Sequence, residues 1–340
     1  MKRILVSGAA GSLGRQICKY LTGRPGCQIL GLDHSEHGLY QLQNYFSQRR
    51  QRSPIAIELM QAGSAACLGM LRRFAPDQII HAAAYKHVPV LEQNPYAALQ
   101  NNFFQTYRFW QYAARLDIPR FLLVSTDKAA CPGNALGVSK RLAELVLLLA
   151  AQKRSPPSTA IIRLCNVASS RGSVLPLWRR QIAARKPLTI THPDMERYFI
   201  SPSQAAAAII RGARSAGHGE ILMPHYGPSI RLQDLALQTI RAAGLRPEVD
   251  IPLQVVGLRP GERLREPWLG PGETLCPPRK HGLPRVTYAS LREWTPWISR
   301  AMHIVRAGDE DAARSLVADF CAAQARMNVS YHPPVSACIG

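Results

Sequence analysis

The chain has 340 residues, enough for one large or two modest domains. With 46% hydrophobic residues it can fill a core, which excludes a disordered chain, and no apolar run is long enough to span a bilayer. Lysine and arginine outnumber aspartate and glutamate 42 to 22, a formal charge of +20, yet the cations are dispersed and the one dense cluster, QRRQR at Gln48 to Arg52, falls in a predicted loop.

A solvated basic surface that keeps the protein soluble is therefore the expectation. No nucleic acid partner is predicted, and membrane association only as weak contact with an anionic surface. MKRILVSGAAG runs straight into a strand and a glycine turn, which leaves no room for a signal peptide. The eight cysteines, Cys18 to Cys338, show no CxxC and no metal-like spacing. They read as reduced thiols of a cytoplasmic protein without a metal site.

ILVSGAAGSLGRQICKYL is an apolar strand, a glycine turn and an amphipathic helix in succession. CQILGLD predicts a second strand ending at Asp33, followed by strands at QIIHAAA (Gln78 to Ala84), FLLVST (Phe121 to Thr126) and TAIIRLCNV (Thr159 to Val167). Helical patterns separate them, among them ALQNNFFQTYRFWQYAARL and the stretch from Val138 to Gln152. Apolar strands alternating with helices predict an α/β fold with a doubly wound parallel sheet. Beyond Asn166 proline and glycine rise, which predicts a smaller substrate-binding domain. The expected division is 1–166 for a dinucleotide, 167–290 mainly for substrate and partly interleaved with the first, and 291–340 as a helical segment and tail. In that segment Asp309 to Asp311 supply an acidic helix start.

GAAGSLG places Gly8, Gly11 and Gly14 between strand and helix, where small residues let the backbone approach a pyrophosphate at the helix N-terminus. Asp33 closes the next strand about 20 residues on, as an acceptor for a ribose 2′-hydroxyl does. Its charge favours NAD over NADP, although Arg49, Arg50 and Arg52 are near enough in sequence to leave NADP open. Ser12 and Leu13 in the turn, Ser35 beyond Asp33, and Ala82, Ala83 and Ala84 after the QIIH run complete the expected cofactor wall.

The blocks DHSEHGLYQL, HAAAYKHVPVLEQNP, STDKAACPGNALGVSKRLAE, RGSVLPLWRRQI, THPDMERYF and GLRPGERLRE occur in this order. Together they resemble the bacterial polysaccharide-biosynthesis family of extended short-chain dehydrogenases, which includes the UDP-N-acetylglucosamine 4,6-dehydratases, over residues 1 to about 325. The resemblance implies a Rossmann sheet and a soluble, homo-oligomeric form without the transmembrane portion of many relatives. It also implies a UDP-N-acetyl sugar as substrate. The reaction implied is redox-neutral: C4 of the sugar gives up a hydride to bound NAD(P) and later C6 receives it, with loss of water between C5 and C6. Asp127 and Lys128 match the family's acid and base, Thr126 the residue that holds the 4-hydroxyl, and Lys140 the nicotinamide-ribose ligand. On the substrate side Lys86, Asn166 and the turn from Arg171 to Val174 line the nucleotide sugar. Arg259 meets the diphosphate and Glu262 a ribose hydroxyl.

Taken singly, each of these residues has a plainer reading. Asp127 and Lys128 make an ordinary ion pair on a surface turn, Lys86 is an exposed lysine, and Arg259 is one loop arginine among many. Tyr85 is packing, and His81 and His87 are structural. The chain also departs from the family pattern. Leu136 stands where soluble relatives carry a tyrosine base and the membrane-associated branch a methionine. Met60 lies near a family carboxylate that meets adenine, Cys165 replaces a glycine, and Arg265 a tyrosine. Three functions follow: a 4,6-dehydratase, a C4 or C5 epimerase on the same scaffold, or a catalytically silent nucleotide-sugar-binding protein.

Overall fold

The computed structural model describes residues 1–153, 156–170, 172–279, 282–288 and 290–329. Arg171 and Cys338 lie outside the described residues.

The apolar runs form strands β1 (Lys2–Ser7), β2 (Cys27–Asp33), β3 (Ile55–Leu59), β4 (Gln78–His81), β5 (Arg120–Thr126) and β6 (Ser158–Leu164). All six pair in parallel, because each connection is a crossover helix. Three further strands complete a nine-stranded sheet: β7 (Glu220–Leu222), β8 (Glu273–Cys276) and β9 (Arg285–Tyr288), in the order β8-β9-β7-β6-β5-β4-β1-β2-β3. β7 runs parallel to β6, whereas β9 is antiparallel to both β7 and β8. The fold is the doubly wound α/β class, with an antiparallel hairpin at one edge that the alternation of strands and helices did not predict.

Helices cover both faces. On one lie α1 (Ser12–Thr22), α2 (Glu36–Ser47) and α9 (Pro202–Ser215), whose apolar residues join a core around Ile29, Ile80 and Ile162. On the other lie α3 (Cys67–Phe74), α4 (Val88–Gln93), α5 (Pro95–Ala98), α6 (Gln105–Arg115) and α7 (Ala135–Lys153), over Leu5, Ile79 and Phe121. A π-helical turn, Leu99–Phe104, joins α5 to α6. Two C-terminal helices, α11 (Thr295–Ala307) and α12 (Glu310–Val329), pack against α5 and α7. Their presence explains why α7 is buried nearly all round, with polar Ser139, Lys140, Arg141 and Glu144 each at most 3% exposed. The helical run predicted from Leu291 is therefore two helices, broken at Gly308, and the Ala312 N–H donates to Asp309 Oδ1 at 2.9 Å.

Helices α8 (Val174–Ala183) and α10 (Leu232–Ala242), with the strand pair Leu188–Ile190 and Leu253–Val255, enclose a separate small core around Trp178, Ile190, Ile240 and Ile251. This unit faces the C-terminal ends of the strands, and a cleft of about 1050 Å³ opens between the two.

Candidate active site

β5 carries its apolar run to the C-terminal edge of the sheet and delivers Thr126, after which one 3-10 turn, Asp127–Ala129, redirects the chain. The Thr126 hydroxyl donates to Asp127 Oδ1 at 2.8 Å. The Lys128 backbone N–H and its ammonium donate to the same oxygen at 2.9 and 3.1 Å. The other oxygen, Asp127 Oδ2, is buried and meets no hydrogen-bond partner among the described residues. Thr126 and Lys128 border the cleft, and Asp127, 6% exposed, sits behind them.

On its far side the Lys128 Nζ faces Glu266 Oε1 and Asn166 Oδ1, each at 3.5 Å. Arg197 Nη2 lies 3.9 Å from the same Glu266 oxygen. Burial disfavours the Lys128 charge, but Asp127 and then Glu266 outweigh it and hold the pKa above the ordinary lysine value. The resident form is the ammonium, a proton donor flanked by two carboxylates. Nothing in the spacing of GLRPGERLRE singled out Glu266, and no pattern pointed to Arg197. Both reach the site only because the segment carrying Glu266 folds back onto the 131–134 loop. Arg263 pins it there by donating to the Cys131 carbonyl at 2.8 Å, and Asn134 donates to the Gly261 carbonyl at 2.8 Å.

The glycine turn follows β1 at the point where the strand order reverses between β1 and β4, which is where doubly wound sheets leave a crevice. Gly8 has φ +71°, and a Cβ there would lie 2.7 Å from the Ala83 nitrogen; at Gly14 a Cβ would collide with the Gly8 carbonyl. Gly11 caps α1 without a side-chain hydrogen bond, and the first turn of α1 carries no acid. Its N–H groups therefore face the cleft as an anion site. Asp33 is 8% exposed and accepts from the Ala10 N–H at 3.0 Å and the Ser35 N–H at 2.9 Å, one on each oxygen. Each oxygen keeps a lone pair for a ribose hydroxyl. Ser35 also caps α2 through its hydroxyl. These residues fit a dinucleotide.

An annexe of about 180 Å³ adjoins the turn, lined by Asp33, Ser35, Met60, Gln61, Ala82, Ala83 and Ala84 among others. Gln61, which the sequence reading passed over, brings an amide to the wall where Met60 brings none. Arg49, Arg50 and Arg52 lie at the opposite end of α2 from Asp33, and the Arg52 N–H bonds the Thr22 carbonyl. A 12-residue helix is roughly 18 Å long, too far for those arginines to reach a 2′-phosphate beside Asp33.

Lys140 projects from α7 into the cleft and donates to the Val124 carbonyl at 2.8 Å; burial lowers its pKa to about 8 against a partial opposing pull from Glu144. Leu136, one turn earlier, is 6% exposed and borders the same cleft. Ser12, Leu13, Lys86, Val174, Arg259 and Glu262 are also wall residues. The Lys86 ammonium donates to the Ser170 hydroxyl at 3.3 Å, and Glu262 accepts the Arg259 N–H at 3.1 Å. His81 is wholly structural, held between the Ser7 and Thr106 hydroxyls at 2.6 and 2.9 Å, with burial and Lys140 lowering its pKa to about 3. The Cys165 thiol is pushed up to about 12 by burial and by the Asp127 charge, and Arg265 lies at the surface, 2.6 Å from Glu196.

Comparison with known proteins gives the family and the fold. The capsular polysaccharide biosynthesis protein CapD of Staphylococcus aureus is 36% identical over 276 residues, which cover 80% of this chain and 46% of that protein. The chain thus spans about half the length of this relative. Pen from Bacillus thuringiensis superimposes with a TM-score of 0.72 at 27% identity, over 79% of this chain and 81% of that one. The dTDP-glucose 4,6-dehydratase DesIV from Streptomyces venezuelae shares the fold at a TM-score of 0.68 and 20% identity, over 77% of this chain and 87% of that one. Residues 4–281 match the family described as polysaccharide biosynthesis protein, and the chain belongs to that family, built on the Rossmann-type fold of the short-chain dehydrogenases.

Proposed function

We propose that the chain is an NAD-dependent nucleotide-sugar 4,6-dehydratase that acts on UDP-N-acetylglucosamine. The observation that carries this reading is the ammonium of Lys128, held between the carboxylates of Asp127 and Glu266 in the cleft that also contains the glycine turn. A C4 epimerisation moves one hydroxyl proton and a hydride. Elimination of water across C5 and C6 additionally needs a base for the C5 proton and an acid for the departing hydroxyl. The paired carboxylates and ammonium supply that surplus.

Bound NAD⁺ would supply the hydride acceptor that makes C4 a ketone and C5 acidic. The glycine turn, Asp33 and Lys140 would hold it. Thr126 would orient the 4-hydroxyl. Asp127 would accept protons at its unpartnered oxygen, and Lys128 would donate one to the leaving 6-hydroxyl. The proton removed from the 4-hydroxyl is the one the departing water needs and would pass from Asp127 to Lys128, 3.1 Å apart, once Lys128 has given up its own; the C5 proton would return to C5 as C6 receives the hydride, which balances the reaction. Leu136 has no titratable group and would only pack. Lys86, Asn166, Val174, Arg259 and Glu262 would bind the UDP portion, an arginine suiting the diphosphate and a carboxylate the ribose hydroxyls. In this reading the protein is cytoplasmic and homo-oligomeric, with 1–166 holding the cofactor and 167–290 mainly the sugar nucleotide.

Incubation of the protein with NAD⁺ and UDP-N-acetylglucosamine, followed by mass spectrometry of the nucleotide sugar, tests the proposal. Loss of one water supports it. Conversion to an isomer of unchanged mass would favour the epimerase, and binding of both ligands without turnover the silent protein.

A further inference from the structure

The parallel topology sorts the two ends of every element. Strand C-termini and helix N-termini meet at the cleft, so strand N-termini and helix C-termini meet at the opposite edge. Helices α1, α3, α6, α7 and α9 end there on Lys19, Arg72 and Arg73, Arg115, Lys153 and Arg214. Basic last turns offset the negative end of a helix dipole, which accounts for one cation at each. It does not account for the rest. The loop after α1 adds Arg24, the loop after α2 adds Arg49, Arg50 and Arg52, and β1 and β5 begin on Lys2 and Arg120.

These groups share one surface. Arg52 bonds the end of α1, and Arg120 Nη1 donates to the Ala213 and Arg214 carbonyls at the end of α9. Arg24, Arg49 and Arg50 are exposed. Carboxylates at this edge are few: Asp117 is exposed in the loop before β5, Asp77 accepts the Arg3 N–H at 2.7 Å, Glu58 is paired with Arg73 at 3.3 Å, and Glu220 is paired with Arg279 and Arg285 at 2.9 and 3.4 Å. Two tyrosines lie under the cations, with Lys19 and Arg49 about 4 Å from the Tyr45 ring and Arg24 4.2 Å from the Tyr20 ring.

We propose that this edge docks on an anionic lipid bilayer, with the cleft turned away from it. Charge complementarity identifies the partner as polyanionic, and the backbone selects among polyanions. Helix C-termini present carbonyls rather than N–H groups, so the edge has no ready-made cradle for individual phosphates. Its attraction is carried by long, flexible side chains spread over many elements. That suits a broad layer of mobile anionic headgroups, with tyrosines at the interface, better than a fixed phosphate track.

Co-sedimentation of the full chain with vesicles of mixed phosphatidylglycerol and phosphatidylcholine, against pure phosphatidylcholine, tests this. The protein should sediment with the anionic vesicles alone. It should be released by salt, since the screening length falls from about 10 Å at 0.1 M to about 3 Å at 1 M. The variant R24E/R49E/R50E/R52E should lose at least about tenfold in partitioning, and the corresponding lysine variant should retain it. R115E/K153E, on other helices of the same edge, should lose binding independently. Equal binding to neutral vesicles, undiminished binding by both charge-reversed variants, no binding at all, or displacement from vesicles by duplex DNA at equal salt would each overturn the proposal.

Discussion

Asp127 and Lys128 are adjacent in sequence but stand in different environments. The carboxylate is tucked behind the cleft wall with one oxygen engaged three times, and the ammonium faces the cleft between two acids. Asp127→Asn and Lys128→Ala should each lower turnover by about 10²–10⁴ while NAD⁺ titration stays near normal, because neither touches the glycine turn. In the proposed mechanism Glu266 would act through Lys128, 3.5 Å away. Glu266→Gln should leave KM for the sugar nucleotide near its starting value and move the alkaline limb of the kcat profile to lower pH, since one of the two carboxylates that hold the ammonium charged is gone. A pH profile identical to that of the unmutated protein would assign Glu266 a purely structural role. Lys140 behaves oppositely. Burial lowers its pKa from 10.5 to about 8, so between those values the unfolded chain binds more protons than the folded one and stability rises with pH. The buried charge opposes folding below that window by something on the order of 3 kcal/mol. The melting temperature of the unmutated protein should rise between pH 8 and 10.5, and Lys140→Met should flatten that rise.

Among the elements, the edge hairpin of β8 and β9 is held by charge. Arg163 on β6 binds Glu273 on β8 at 2.7 Å and Glu144 on α7 at 2.7 Å, and Arg141 on α7 binds Glu273 at 2.5 Å, all four side chains being fully buried. Burial raises the pKa of Glu273, but the two guanidiniums more than reverse this and hold it at about 2. Glu273→Gln leaves two buried arginines short of a charge and should destabilise the protein by about 3–5 kcal/mol, read from urea denaturation. An unchanged midpoint would show that the network contributes nothing net. This hairpin was illegible in the sequence for a physical reason. ETLC and RVTY are four residues each, lie among prolines and glycines, pair with each other, and join the sheet only where β9 meets β7, far back along the chain. Of the parallel strands, β1, β2, β4, β5 and β6 were legible because each is a continuous apolar run, whereas β3 and β7 were not, IAIEL being a half-exposed edge strand and EIL only three residues long. The cofactor turn, whose residues are local in sequence, was legible too. Glu266 and Arg197 were not, since their closeness to Lys128 depends on the Arg263 clasp across 132 residues.

At the scale of the whole molecule, the fold brings together residues that the sequence scatters. The cleft lies at one edge of the sheet, and a group of cations from β1, β5 and the ends of α1, α3, α6, α7 and α9 lies at the other because helices and strands run in opposite directions through the layers. The dispersed lysines and arginines of the sequence therefore concentrate in space, which no inspection of local runs could show. In the proposed reaction the cleft would take hydrogen from C4 and deliver it to C6 of the same sugar. UDP-N-acetylglucosamine carrying deuterium at C4 tests it most directly, with the nucleotide sugar analysed by NMR after incubation with the protein and NAD⁺. The product should be one water lighter, with the deuterium in a new methyl group at C6. Deuterium found only at C4, whether in an epimer or in unchanged substrate, would contradict it.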